Sequence, residues 1–141
     1  MVTIRSATVA DAVRIAELTG NLGYPITTET AAARLKYLLS RSEHLVLVAE
    51  ITGVVGWIHA SEQYLLESGL QCEIVGLVVA ADHRDKGIGR ALVGRVERWA
   101  ADRGVEQLSV RSNITRSESH PFYEQLGYAR TKTQHVYRKS I

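Results

Sequence analysis

The stretch Leu77-Val78-Val79-Ala80-Ala81-Asp82-His83-Arg84-Asp85-Lys86-Gly87-Ile88-Gly89-Arg90 governs how the rest of the chain is read. An apolar run ends, a short polar loop follows, and a helical pattern opens at two glycines. Glycines let a backbone come close to a ligand because no Cβ intervenes. The first turn of a helix offers unpaired N–H groups and the positive end of its dipole. Together these make an anion site suited to a pyrophosphate, and Arg84, Lys86 and Arg90 add positive charge. Two better-known glycine motifs do not apply. There is no G-x-x-x-x-G-K-[ST], and Gly87-x-Gly89 is followed by Leu92 where a dinucleotide fingerprint needs glycine. A glycine-tolerant turn ahead of an amphipathic helix accounts for G-x-G equally well.

The pattern extends in both directions from this stretch. Downstream, Gly87–Arg103 reads as a long helix with Ile88, Leu92, Val96, Trp99 and Ala100 on one face and Gly104 as its stop. Gln107–Ser112 reads as a strand, and about 119–126 as a short helix with Pro121 in its first turn and Gly127 after its end. Residues 128–138, carrying Tyr128, Val136 and Tyr137, read as a final strand or hairpin. Upstream, Glu73–Ala80 is a nearly continuous apolar run, the expectation for a strand buried on both faces. His44–Glu50 and Val54–Ala60 flank a turn at Thr52-Gly53 and predict a hairpin, with 61–71 as a connecting loop. Before them come a short β-rich start over 2–7 and a helix capped by Thr8 with Asp11. That helix puts Val9, Ala12, Val13 and Ala16 on one face and stops near Gly20. The stretch Asn21–Ile26 reads as a loop, and Thr28 as the cap of a second helix carrying Leu35, Leu38 and Leu39. The order β-α-α-β-β-β-α-β-α-β predicts an α/β domain on a mixed sheet, a single domain over 1–141.

Composition removes several function classes. The hydrophobic fraction of 45% suffices for one core, and 17 basic against 15 acidic residues leave a charge of only +2. So mild a balance gives no reason to expect a nucleic-acid or membrane partner. The single cysteine, Cys72, cannot form an intrachain disulfide or a multi-thiolate zinc site, and it fits a reducing compartment. The start of the chain lacks an apolar core of signal-peptide length, and no apolar run reaches membrane-spanning length. A cytoplasmic protein is the expectation. His44, His59, His83 and His135 show no ligand spacing, so no metal is expected.

With these residues in hand, the sequence resembles the GNAT family of N-acetyltransferases. Arg84-Asp85-Lys86-Gly87-Ile88-Gly89 is similar to that family's Q/R-x-x-G-x-G/A. Asn113, followed by His120-Pro121-Phe122-Tyr123-Glu124-Gln125-Leu126-Gly127-Tyr128, resembles its asparagine and F-Y-x-x-x-G-[FY] segment. The resemblance implies a GNAT-like fold, with a mixed central sheet splayed into a V and helices on both faces. It implies acetyl-CoA as acyl donor and an amine acceptor, joined by direct transfer in a ternary complex. The pantetheine arm would pair with the strand ending at Leu77, Val78 and Val79. The pyrophosphate would lie on Arg84, Asp85, Lys86, Gly87, Ile88, Gly89 and Arg90, with Asn113 near the cofactor. A homodimer is also implied by analogy.

Acyl transfer to an amine needs a neutral amine, a polarised thioester carbonyl and a proton for the departing thiolate. By the resemblance, Tyr123 is the acid that protonates the thiolate and also contacts the cofactor. Phe122 and Leu126, spaced i and i+4, form the packing pair and leave Tyr123 on another face. Glu73, an ionisable residue at the start of an apolar strand, is the candidate base, with His120 as the alternative. A backbone N–H near Leu77 would polarise the carbonyl. Cys72, Trp57 and Trp99 read as packing residues. Segments 20–27 and 61–71 are candidate walls of the acceptor pocket, and Glu62, Glu67 and Glu73 hint at a cationic acceptor. Two other readings stay open: an aminoglycoside-type or toxin-type acetyltransferase, and an acyl-CoA-binding regulatory domain without catalysis.

Overall fold

A computed structural model describes residues 1–111 and 119–141, Ser119 and His120 as backbone only. These divide into two compact units, Met1–Val110 and Arg111–Ile141.

The first unit is built on a five-stranded sheet in the order β1-β2-β3-β4-β5. Its strands are β1 (Thr3–Ser6), β2 (His44–Glu50), β3 (Val54–Leu65), β4 (Gly69–Val79) and β5 (Leu108–Val110). The first three pairings are antiparallel and β4–β5 is parallel, so the sheet is mixed as expected. Helices α1 (Ala12–Asn21), α2 (Thr28–Leu39) and α3 (Ile88–Asp102) complete the unit. Side chains alternate along a strand, so Gly56, Ile58 and Ala60 share one face while Trp57, His59 and Ser61 share the other. A Cβ on Gly56 would lie 3.5 Å from Leu92, which puts α3 on the first face. Ala33, Arg34, Tyr37 and Leu38 of α2 line one cavity together with His59 on the second.

Helix α3 follows its sequence pattern. Ile88, Leu92, Val93, Val96 and Ala100 are buried, and Gly104 ends it in the left-handed region at φ 81°. Each fully buried aliphatic side chain contributes about 1.5–3 kcal/mol, so this stripe anchors the helix to the sheet. The early helices differ in detail from expectation. Thr8 does cap the first turn and forms the expected capping box with Asp11, whose carboxylate accepts the Thr8 N–H at 2.8 Å. The buried stripe of α1 is Ala12, Ile15, Ala16 and Leu18, whereas Val9 and Val13 are exposed. The shift arises because Val9 belongs to a 3₁₀ turn ahead of α1, whose helical phase begins only at Ala12. Helix α2 is capped by Thr27, whose hydroxyl accepts the Thr30 N–H at 3.1 Å, one residue before the expected Thr28. Of its leucines, Leu35 is buried and Leu39 exposed. Arg5 clamps the start of the unit, donating from both terminal nitrogens to Asp11 at 2.9 Å.

Residues 61–71 are not a loop. Strands β3 and β4 continue as one long hairpin whose ladder runs out to Leu65↔Gly69. Polar residues such as Glu62, Gln63 and Gln71 hid the strands because both faces there are solvated or ion-paired. The inner half of β4 is buried on both faces, Ile74 on the α3 side and Val78 on the α2 side, with Val75 as the exception. Its ladder skips Val75, which lies between the pairs His59↔Gly76 and Ala60↔Ile74 and is exposed. This is a β-bulge, one extra residue that re-aims the side chains beyond it.

The second unit holds α4 (Ser119–Gln125), followed by Gly127 at φ 94°. The Tyr128 N–H donates to the Tyr123 carbonyl at 3.0 Å, closing the helix end as the Pro121/Gly127 punctuation implied. Among the described residues no strand is formed over 128–138, against expectation. The polar run Arg130-Thr131-Lys132-Thr133-Gln134-His135 breaks the apolar alternation, and Val136 and Tyr137 are exposed.

Candidate functional site

The site begins where β4 ends. The Ala80 N–H donates to the Val55 carbonyl at 2.8 Å, tying the strand exit to β3. A 3₁₀ turn over Ala81–His83 then leads into Arg84-Asp85-Lys86-Gly87. Two residues of this loop are left-handed: Asp85 at φ 61° and Gly87 at φ 79°. A left-handed non-glycine residue costs about 1–2 kcal/mol, so Asp85 holds a conformation the loop imposes on it. Gly87 is the N-cap of α3 and contributes no capping side chain. The first bond of the helix runs from Ala91 N–H to Gly87 carbonyl at 3.0 Å. By helix geometry the N–H groups of Ile88, Gly89 and Arg90 then have no intrahelical acceptor. Arg84, Lys86 and Arg90 are exposed around them. Such a mouth fits a phosphate group.

Leu77, Val78 and Val79 lie immediately upstream. Strand β4 pairs with β5 only from Cys72↔Leu108 to Ile74↔Val110. Among the described residues the β5-side edge of β4 from Val75 to Val79 has no strand partner. A free edge leading into an uncapped helix start is a geometry an extended amide-bearing chain can follow, by the chemistry of strand addition.

Glu73 sits half-buried in β4, two residues before the bulge. It pairs with Ser61 across β3 and with Ser109 across β5. Directly paired residues share a face, so Glu73 faces the α2 side together with Ser61 and His59. Without the bulge its parity would be reversed. Ser61 pairs in turn with His44, so His44, Ser61 and Glu73 form one row across three strands. His44 Nδ1 lies 3.0 Å from His59 Nε2, a hydrogen bond between rings. Burial, with the neighbouring His44, pushes the His59 pKa down to about 4, so His59 is neutral near pH 7. Sequence reasoning dismissed these histidines as scattered. A turn at 51–53 alone would set His44 opposite Ala60. The extra residue Val55, between the pairs Glu50↔Val54 and Ala49↔Gly56, moves it opposite Ser61 and diagonal to His59, so the turn signal could not have found them.

Trp57 occupies the same face, and its ring lies where a Cβ on Gly76 would stand, 2.8 Å away. Its indole N–H is buried with no acceptor among the described residues. An unsatisfied buried donor costs about 1–3 kcal/mol. Glu62 lies elsewhere: it accepts a hydrogen bond from Arg103 Nε and pairs with Cys72 on the α3 side. Its charge is compensated there, so it lends nothing to a cationic pocket. Cys72 is fully buried, and burial holds its thiol above the ordinary range. Among the described residues no cluster of His, Cys, Asp and Glu could hold a metal ion.

In the second unit, Tyr123 is half-buried. Its ring stands edge-on to Phe122 and Tyr128, with centroids at 5.0 and 5.9 Å. Asn113 lies outside the described residues, as does the side chain of His120.

Comparison with known proteins agrees with the mixed sheet. The profile described as the acetyltransferase (GNAT) family matches residues 13–128. The chain belongs to that family and is an acyltransferase by class. It is 34% identical over 101 residues to the acetyl transferase GW6a of Oryza sativa subsp. japonica, 62% of this chain but 24% of that one. The chain thus spans about a quarter of that relative's length. It is 27% identical to an aminoglycoside N(6')-acetyltransferase type 1 of Stenotrophomonas maltophilia, over 99% of this chain and 94% of the other. Its fold superposes with a TM-score of 0.89 on an aminoglycoside N-acetyltransferase, AAC(6')-Iy, solved in complex with CoA. That likeness covers 100% of this chain and 96% of the other at 18% identity. Among the described residues no helix is long and apolar enough to cross a membrane.

Proposed function

We propose that this chain moves an acetyl group from acetyl-CoA to a primary amine of a small molecule or peptide, with both substrates bound together. The observation that carries the proposal is the uncapped start of α3 behind two left-handed residues, joined to the free edge of β4. In this reading the N–H groups of 84–90 receive the pyrophosphate, and Leu77, Val78 and Val79 hold the pantetheine arm. The amine attacks the thioester carbonyl, whose oxygen takes a hydrogen bond from a backbone N–H near Leu77. Glu73 removes a proton from the amine, directly or through water. The Tyr123 hydroxyl gives its proton to the departing thiolate, and Asn113 contacts the cofactor. Residues 1–141 act as one acetyltransferase domain, and the setting is the cytoplasm. The exposed apolar tip of the β3–β4 hairpin, Tyr64, Leu65 and Leu66, supports self-association as a dimer.

The likeness to aminoglycoside acetyltransferases favours a second reading, in which the acceptor is an aminoglycoside. The test of the shared chemistry is acetyl-CoA binding followed by free-thiol release across amines, peptides and aminoglycosides. At about a hundredfold excess over the dissociation constant, acetyl-CoA should stabilise the fold by roughly 2.7 kcal/mol. Gly89→Glu, which sets an anion at the helix mouth, should abolish that shift while the fold survives. An unchanged melting temperature of the parent protein at millimolar acetyl-CoA would overturn the proposal.

A further inference from the structure

A pocket of about 480 Å³ lies between α2 and the sheet, lined by Ala33, Arg34, Tyr37, Leu38 and His59. None of these residues is acidic. On α2, Arg34, Tyr37 and Leu38 stand at i, i+3 and i+4, so they share one face of the helix. Arg41, just past its end, lies over the Tyr37 ring at 4.4 Å. Neither Arg34 nor Arg41 pairs with a carboxylate among the described residues. The wall of this pocket therefore presents cation and aromatic surface.

The pocket floor is His59, which pairs with Gly76 beside the bulge of β4. Glu73, the base of the proposed reaction, is on the same face, diagonal to His59 and at about 7–8 Å by sheet geometry. A molecule seated in the pocket can thus point one end along the sheet toward Glu73 while its other end lies under Arg34 and Tyr37. A polycationic acceptor would bring like charge to Arg34, and Glu62 is already compensated by Arg103 on the opposite face. An anionic end group meets an uncompensated guanidinium.

We infer that the α2-side pocket is the acceptor site and selects an amine whose far end carries a carboxylate, held by Arg34 beside the Tyr37 ring. This rests on the acetyl-transfer reading for the direction of the amine, but the anion preference belongs to the pocket alone.

The test is calorimetric titration of aminocaproate, hexylamine, hexamethylenediamine and kanamycin into the whole chain, once free and once saturated with CoA. Aminocaproate should bind about tenfold more tightly than hexylamine in both forms, the scale of one charge-assisted pair at a partly open site. Hexamethylenediamine and kanamycin should bind more weakly than aminocaproate. Arg34→Gln, at an exposed helix position, should erase the advantage of aminocaproate and leave hexylamine unchanged. Binding of the diamine or kanamycin as tight as that of aminocaproate overturns the inference. So does an advantage that survives Arg34→Gln, or no binding of aminocaproate. Failure to bind CoA, with the carboxylate preference intact, would sink the acetyl-transfer reading and leave the pocket assignment standing.

Discussion

Two glycine-to-alanine changes on the same helix should move stability in opposite directions. Gly87 begins α3 at φ 79°, and an added Cβ there meets nothing within 4 Å. The whole effect of Gly87→Ala is therefore conformational. An L-residue in the left-handed region costs about 1–2 kcal/mol, offset in part by about 0.4–1 kcal/mol from the less flexible unfolded chain. The net is a loss of about 1 kcal/mol. Gly94 sits mid-helix, also with open space around an added Cβ, and has no positive φ. Gly94→Ala should gain about 0.5–1 kcal/mol, because glycine is the more costly residue inside a helix. For a chain of this length 1 kcal/mol corresponds to about 4 °C, so the two melting temperatures should separate by about 6–8 °C. Thermal melts of the two variants and the parent read this directly. Repeated with acetyl-CoA, the melts should show a reduced ligand shift for Gly87→Ala only, since only that change relaxes the mouth of the anion site. Gly87→Asn, a residue tolerated in the left-handed region, should retain most of the shift. Equal signs for the two alanine variants would refute the assignment of Gly87 as a conformational requirement.

Three further outcomes follow from named contacts. Tyr123→Phe should lower turnover by roughly 10²–10⁴-fold with acetyl-CoA binding unchanged, and less for a thioester with a more acidic thiol; unchanged turnover in steady-state assays would remove the acid role. Gly76→Ala drives a Cβ to 2.8 Å from the Trp57 ring, so chemical denaturation should show a loss of about 1–3 kcal/mol, and a neutral result would mean the ring moves freely. The Arg5 guanidinium holds the Asp11 carboxyl below its usual range. Its stabilisation is present above the unfolded value of about 3.9 and is lost as pH falls through the lower folded value, so Asp11→Asn should flatten the acid limb of melting temperature against pH.

What the sequence disclosed depended on how local the determining physics is. Helix α3 and its glycine start were legible because a long 3.6-residue period, a glycine stop and a cationic flank all lie within one segment. The Thr52-Gly53 hairpin was legible for the same reason. The outer halves of β3 and β4 were not, since Glu62, Gln63 and Gln71 look like loop until the ladder supplies their backbone partners. The ion pair of Glu62 with Arg103 joins residues 41 apart in sequence, and no spacing rule anticipates it. The His44–His59 contact is a product of register, which needs both strands and their turn at once.

The bulge at Val75 shows how one unpaired residue can organise a site. An unbroken ladder would give Glu73 the parity of Val75 and Leu77, on the α3 side of the sheet. The skipped residue reverses this, so Glu73 shares the face of Gly76, His59 and the α2 pocket. The parallel ladder with β5 ends at Ile74, one residue before the bulge. The next five residues of β4 have no strand partner on that side among the described residues, the last carbonyl, Val79, accepting from Arg84 Nε at 3.4 Å. A candidate base and an open strand edge are thus fixed by the same irregularity. The edge leads directly into Ala80 and the left-handed turn at Asp85, so the positions proposed for thioester and pyrophosphate follow one continuous backbone path. The placement of chemistry here rests on backbone geometry first, and the bulge then sets Glu73 on the face beside that path.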